Sequence, residues 1–177
     1  MIYLGLDPGL KGGLAALTED GKILMMETMP LNEDGIDPVR VKNWLILVNG
    51  CSNGRGLTVA LEKAQAMPGQ GGRSMFNYGQ GYGVLRAVLA LMALQVTLVR
   101  PQTWTKVVHV GTDGGEAKDR SRQAALRLWP GQTWTASDRC RTPHMGLIDA
   151  CLIAEWCRRT VSSQQKTVDT TRSVGTV

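Results

Sequence analysis

Residues 1–17 read MIYLGLDPGLKGGLAAL, and this stretch sets the fold of the chain. The apolar run at residues 2–6 ends on Asp7, which a Pro-Gly turn follows at once. Short apolar runs bounded by turn residues are typical of buried strands, so a second turn at residues 11–13 predicts a β-hairpin. Asp7 either caps the turn or, if it is buried, needs a charged partner or a cation, because an unpaired buried charge is too costly.

Two further carboxylates lie at the ends of predicted elements, as Asp7 does. The β-rich run at residues 57–61 ends on Glu62, and the helical pattern at residues 146–156 carries Asp149 near its start. Two strand-end acids and one helix-borne acid can converge around Mg²⁺, which binds through a few carboxylates, water and substrate phosphate. Paired ions held in this way clamp the attacking and leaving oxygens of a phosphodiester displacement.

Composition and charge narrow the class of protein. The chain has 177 residues and 43% hydrophobic residues, enough for one domain with a real core. Its net charge of +5 favours nucleic acid or another anionic partner. The longest apolar stretch, residues 84–99, contains Arg86 and Gln95 and is too short for a membrane span. No basic leader and no C-x-x-C pair are present. We therefore expect reduced thiols, no membrane partner, no secretion, and a location in the cytoplasm or in the compartment holding the DNA of a host, phage or organelle.

Hydrophobic periodicity and turn residues divide the rest of the chain into elements. The predicted elements are a third strand at 22–29, a polar loop at 31–38, a helix at 39–48, a fourth strand at 57–61, a glycine-rich loop at 66–73, a helix from 74, a fifth strand at 95–99, a short helix at 103–106, and helices at 116–128 and 144–159. Residues 160–177 have no usable pattern and are predicted to be a disordered tail behind a domain at residues 1–159.

Several ordered motifs resemble one known family. They are DPG after the first strand, LEK at 61–63, SMFNYGQGYG at 74–83, PQTWTK at 101–106, KDRSRQAALRLWP at 118–130 and DACLIA at 149–154. Together they resemble the RuvC-type Holliday-junction resolvases of the RNase H-like superfamily, in particular the phage and chloroplast branch.

The resemblance implies an α/β, RNase H-like fold, with a five-stranded mixed sheet of order 3-2-1-4-5 and helices on both faces. It implies a homodimeric endodeoxyribonuclease that resolves four-way DNA junctions by paired symmetric nicks and has no small-molecule substrate. It also implies two Mg²⁺ ions per site, or Mn²⁺ in their place. Asp7 would bridge the two ions, and Glu62 and Asp149 would each hold one.

This chain departs from the family's pattern at the fourth metal ligand. Met145 and Gly146 stand where an acid is expected, so His144 is the nearest substitute, as a ligand or as a base that orients water, and Asp138 is a weaker one. Side chains five apart on a helix are about 140° out of phase. His144 can therefore converge with Asp149 only if the helix begins after it, and otherwise it is a loop residue with no metal role.

Basic and aromatic residues are predicted to contact DNA. Phosphate contacts are assigned to Lys63, Arg73, Lys106, Lys118, Arg120 and Arg122, and stacking at the junction to Phe76 and Tyr78. Solvated charges and core packing are the respective alternatives. The apolar helix face at residues 84–94 belongs to the core or to a dimer interface.

Two other functions share these features. One is another RNase H-like nuclease, acting on RNA–DNA hybrids or branched DNA, which needs no dimer. The other is a non-catalytic junction-binding relative that has lost the fourth ligand.

Overall fold

The computed structural model describes residues 1–64 and 71–173, with residues 161–173 as backbone only. The strands of this part are β1 (Ile2–Asp7), β2 (Gly13–Leu17), β3 (Ile23–Thr28), β4 (Leu31–Asn32), β5 (Gly35–Ile36), β6 (Leu57–Glu62) and β7 (Val96–Val99). The helices are α1 (Pro38–Gly50), α2 (Gly72–Leu91), α3 (Pro101–Val108), α4 (Ala117–Leu128) and α5 (Met145–Ser173). Most of the predicted glycine-rich loop and the end of the predicted tail lie outside the described residues.

Five strands form one mixed sheet in the order β3-β2-β1-β6-β7. β1 pairs antiparallel with β2 and parallel with β6, and β6 pairs parallel with β7. Parallel neighbours need a crossover connection, which α1 and α2 provide. The predicted five-stranded order is confirmed, with β6 and β7 as its fourth and fifth strands.

The side chains of β1 alternate between two hydrophobic cores, because successive strand residues point to opposite faces. Leu4 and Leu6 belong to the core that α1 and α2 cover. Tyr3 belongs to the core formed with α3, α4 and α5. The prediction of helices on both faces is therefore confirmed, and Asp7 continues the face of β1 that packs against α5.

Close backbone contact holds the start of α5 on the sheet. A Cβ on Gly5 would lie 2.1 Å from the carbonyl oxygen of Ala150, and a Cβ on Gly146 would lie 2.2 Å from that of Lys11. No larger residue fits at either position, so glycine lets α5 lie directly on β1 and on the β1–β2 turn. This contact brings the first turns of α5 to the end of β1.

The predicted polar loop at residues 31–38 is wrong in part, because β4 and β5 form a small hairpin there. Leu31 pairs with Ile36, and Ile36 is buried in the core beneath α1 and α2. The backbone N–H of Asp34 donates to Oδ1 of Asn32 at 3.0 Å, which stabilises the tight turn. A buried side chain among polar neighbours is too weak a pattern to predict a two-residue strand.

α5 begins at Met145, one residue after the predicted start, and its backbone stays helical to Ser173, beyond the predicted end at Arg159. The boundary between a domain at 1–159 and a disordered tail stays a prediction. None of the helices in the described part is both long and apolar enough to cross a bilayer.

Candidate functional site

Asp7 and Glu62 lie at the same edge of the sheet because β1 and β6 are parallel. Leu6 is paired with Leu61, so the next residue of each strand stands beside the other. Both carboxylates are part-buried where their strands end. The sequence-based prediction that two strands bring acids to one place therefore agrees with the geometry.

The surroundings of these two acids disfavour their charged forms. Burial raises the pKa of Asp7 to about 6, against a smaller opposing effect of the hydrogen bond from the N–H of Gly9. Burial and then the charge of Asp7 raise the pKa of Glu62 to about 7, with a smaller contribution from Asp149, while a hydrogen bond from Trp104 lowers it. Each acid therefore lies in a site that favours neutralisation.

Asp149 joins them from the first turns of α5. Burial and then the charge of Asp7 raise the pKa of Asp149 to about 7, and a hydrogen bond from Ser121 and the charge of Lys118 act in the opposite direction. Its Oδ1 is buried and has no hydrogen-bond partner among the described residues. An ionised oxygen in this position needs a cation or a donor.

The three acids fit divalent cations by donor type and by charge. Among the described residues none of them forms a salt bridge, so no ion pair in this part of the chain balances their charge. No three His, Cys, Asp or Glu side chains in the same part are arranged to surround a single ion. Ions of the Mg²⁺ type are commonly held by one or two carboxylates and completed by water and phosphate, which suits this arrangement.

His144 immediately precedes α5, as its predicted convergence with Asp149 requires, but its ring caps the helix. The backbone N–H of Leu147 donates to Nδ1 at 3.3 Å. A neutral ring that accepts at Nδ1 carries its proton on Nε2 and has no second lone pair to offer. Burial lowers the pKa of His144, which favours this neutral form. The metal role of His144 stays a prediction, and Asp138 is exposed in the preceding loop.

Met145 and Gly146, the two positions where the family resemblance predicts an acid, have packing roles instead. A Cβ on Gly146 would lie 2.2 Å from the carbonyl oxygen of Lys11, so no carboxylate fits there. Met145 is partly buried against the core that α5 shares with α3 and α4. Close packing of α5 on the sheet therefore explains both residues.

Two of the predicted DNA contacts lie beside the acids. Lys118 is exposed at the start of α4 and close enough to Asp149 to lower its pKa. Tyr78 is part-buried, and burial followed by the charges of Glu62 and Asp7 raises the pKa of its hydroxyl well above the usual value. Both side chains are therefore at the rim of the site.

The other predicted contacts differ in exposure. Arg120 is half-buried, and its Nε is buried without a hydrogen-bond partner among the described residues, so it is not a simple surface charge. Phe76 is 71% exposed, which excludes the core alternative for this ring. The remaining side chains are exposed: Lys63, Arg73, Lys106 and Arg122.

A groove leads from the surface to Tyr78. It runs between the β1–β2 turn and the start of α2 and is lined by Leu10, Lys11, Arg73, Asn77 and Tyr78, among others. An adjoining cavity extends it along the β4–β5 hairpin. The groove therefore ends at Tyr78, at the rim of the acid site, and carries two basic side chains, Lys11 and Arg73.

Three residues that contact the acids or their neighbours were not predicted. Nε1 of Trp104 donates to Oε2 of Glu62 at 2.7 Å. Oγ of Ser121 lies 3.1 Å from Nε2 of His109, and a hydrogen bond from Ser121 lowers the pKa of Asp149. Trp104 and Ser121 fall inside motif blocks of the resemblance, which is the only sequence signal for them, and His109 has none.

Comparison by sequence finds no match among family models and none among curated proteins. Comparison by structure finds Thermus thermophilus RuvC in complex with Holliday junction substrate, with a TM-score of 0.59, 17% identity, and coverage of 88% of this chain and 92% of the other. A second Thermus thermophilus RuvC structure has a TM-score of 0.58, 19% identity and coverage of 94% and 98%. The yeast mitochondrial Holliday junction resolvase Ydc2 has a TM-score of 0.54, 13% identity and coverage of 97% and 83%.

These comparisons and the strand order define an RNase H-like α/β fold. Within that class, the fold is the one found in the RuvC-type Holliday junction resolvases, as the motifs predict.

Proposed function

We propose that this protein is a metal-dependent endonuclease that resolves four-way DNA junctions by paired nicks. The observation that carries the proposal is the meeting of three part-buried, mutually repelling carboxylates, Asp7, Glu62 and Asp149, on a RuvC-type fold. One solved structure with this fold is a RuvC bound to a Holliday junction substrate, which supports the choice of junction DNA.

Each acid is assigned its own role in metal binding. Asp7 raises the pKa of both Glu62 and Asp149, which supports a shared role: Asp7 would help to hold two ions, and Glu62 and Asp149 would each help to hold one. When bound, Mg²⁺ or Mn²⁺ stabilises charge on the attacking and leaving oxygens. The chain itself orients the acids and restricts their contact with water.

His144 is proposed to orient the attacking water or to act as the fourth ligand. A ligand or a base needs a free lone pair, so either the bond from the N–H of Leu147 to Nδ1 is released, or the ring proton moves from Nε2 to Nδ1, which also breaks that bond. This exchange of a helix cap for a substrate contact is part of the proposal.

DNA is held by charge and by stacking. Exposed basic side chains are assigned to phosphates, since such contacts give salt-dependent affinity without reading sequence. Phe76 is exposed in the first turns of α2 and can stack on an unpaired base, a contact worth about 1–3 kcal/mol. The phosphate contacts are assigned to Lys63, Arg73, Lys106, Lys118 and Arg122.

Paired nicks need two active sites, so we propose a homodimer. One exposed face of α2 carries Phe76, Gly79, Gly83, Ala87 and Ala90, spaced as residues that share a helix face. A Cβ on Gly79 or Gly83 would meet nothing within 4 Å, which leaves room for a second backbone. The inner residues of α2, such as Leu85 and Leu89, are buried in the core.

The test is cleavage of a synthetic mobile four-way junction in Mg²⁺ and in Mn²⁺. Wild-type protein should nick the junction symmetrically and leave linear duplex and RNA–DNA hybrid intact, and Asp7→Asn should abolish nicking. Preferential hybrid cleavage would instead identify another RNase H-like nuclease. Tight junction binding without nicking in either metal would identify a non-catalytic relative.

A further inference from the structure

A group of three side chains from α3, α4 and their connection lies behind the acids. Trp104 of α3 donates through Nε1 to Oε2 of Glu62 at 2.7 Å. The ring of His109 meets the Trp104 ring edge-on, with centroids 5.8 Å apart. Nε2 of His109 lies 3.1 Å from Oγ of Ser121, which reaches Asp149. The three residues therefore connect Glu62 with Asp149 without belonging to β6 or α5, the elements that carry these acids.

The direction of these hydrogen bonds follows from the available protons. An ionised Asp149 only accepts, so the single hydroxyl proton of Ser121 points to it, and Oγ accepts from Nε2–H of His109. Nδ1 of His109 then carries no proton, and it is buried without a partner among the described residues. His109 and Ser121 are 8% and 4% exposed, so little water competes for these bonds.

We propose, on the basis of the function given above, that Trp104 and the His109–Ser121 pair are positioning residues that orient the carboxylates of Glu62 and Asp149 for divalent cations. Trp104 binds one oxygen of Glu62 and leaves Oε1 for a metal. A hydrogen bond from Ser121 acts on Asp149, whose Oδ1 has no partner in the described part of the chain. Outer hydrogen bonds of this kind fix the orientation of metal ligands.

The bond from Trp104 is not explained by the need to satisfy a buried indole. Trp44, at 3% exposure, is as buried as Trp104 at 4%, and its Nε1 has no hydrogen-bond partner within the described residues. The fold therefore tolerates a buried indole N–H without an acceptor. Trp44 is a residue of α1 and packs into the other core, away from the acids, which makes it a matched control.

The experiment compares Trp104→Phe and Ser121→Ala with Trp44→Phe and Ser52→Ala in the full chain. Ser52 is buried like Ser121 but follows α1, among residues near the start of β1. Mn²⁺ binding is measured by calorimetry on metal-free protein, junction nicking is measured against Mn²⁺ concentration, and thermal unfolding is recorded for every variant.

We expect Trp104→Phe and Ser121→Ala to weaken Mn²⁺ binding by about 10–100-fold, the usual effect of losing such a partner. Their half-saturating Mn²⁺ concentration should rise, and excess Mn²⁺ should restore most of the nicking rate. The control variants should lose thermal stability to a similar degree and bind Mn²⁺ like the wild type. Unchanged Mn²⁺ affinity in both test variants, with an active wild type, would overturn this inference alone. A wild type that neither binds Mn²⁺ nor nicks would overturn the proposed function.

Discussion

At the scale of single residues, the three acids are costly for folding. A carboxyl group with a folded-state pKa above its unfolded value weakens folding at neutral pH, because the folded protein holds the charged form less well. Asp7, Glu62 and Asp149 all have raised pKa values, and each is affected by at least one of the others. A bound cation would remove this cost, so under the proposed function we expect metal binding to stabilise the fold.

We predict that Asp7→Asn stabilises the metal-free protein at neutral pH. The pKa of Asp7 is about 6 when folded and 3.8 in its ordinary state, so its charge costs up to about 3 kcal/mol above pH 6 and nothing below pH 3.8. The asparagine keeps the oxygen that accepts from the N–H of Gly9. Urea unfolding in EDTA at pH 4, 6 and 8 should show a variant-minus-wild-type difference that grows with pH.

Mg²⁺ provides the control for this prediction. It should stabilise the wild type at pH 8 and have much less effect on the Asp7→Asn variant. A difference that is constant from pH 4 to pH 8 would mean that Asp7 is not desolvated in the folded protein.

We predict that His144→Asn separates helix capping from catalysis. Asparagine is a good N-cap residue, so the variant should unfold like the wild type, whereas His144→Ala should lose about 1 kcal/mol. Both variants should nick junctions at least about 100-fold more slowly if the imidazole acts on water. If His144→Asn nicks junctions at the wild-type rate, His144 has no catalytic role and serves only to accept the hydrogen bond from the N–H of Leu147.

At the scale of elements, the site depends on how closely α5 lies on the sheet. Gly5 and Gly146 remove the side chains that would separate the helix from β1 and from the β1–β2 turn. Asp149 is in the same helix, one turn beyond Gly146, so its distance from Asp7 follows from this packing. An acid at position 146 is incompatible with it.

We predict that Gly146→Ala destabilises the fold by about 3 kcal/mol or more and weakens Mn²⁺ binding, because the added Cβ forces α5 away from the sheet. Gly50→Ala is the matched control at the end of α1, where an added Cβ meets nothing within 4 Å and should stabilise by about 0.4–1 kcal/mol. Urea unfolding and Mn²⁺ calorimetry measure both effects. Equal stability of the two variants would show that α5 shifts without cost.

At the scale of the whole molecule, one chain supplies one set of acids, and paired nicks require two. The exposed face of α2 and the groove beside it carry the surfaces that a dimer and a junction would use. The two hydrophobic cores do not show whether the protein is a dimer, because helices of the same chain already cover both of them.

We predict that Ala87→Glu, at the centre of the exposed α2 face, yields a monomer that still folds. It should nick junctions singly instead of in pairs, since two buried glutamates would face each other across the interface. Leu47→Glu is the control, because Leu47 is 61% exposed on α1, outside that face. Sedimentation and junction nicking measure the outcome, and a wild-type dimer from Ala87→Glu would place the interface elsewhere.

The motif blocks, through the family that they resemble, predicted the five-stranded order and the helices on both faces, and the strand and helix patterns predicted that three acids could converge. Alternating apolar runs, turn residues and strand-end carboxylates are local patterns, and the motif blocks added their order along the chain. Only the tertiary structure decided that Gly146 is a packing residue, that the ring of His144 caps α5, and that Trp104, His109 and Ser121 lie behind the acids. These facts depend on contacts between residues far apart in the chain, such as Glu62 and Trp104. Local hydrophobic patterns in the sequence do not predict such contacts.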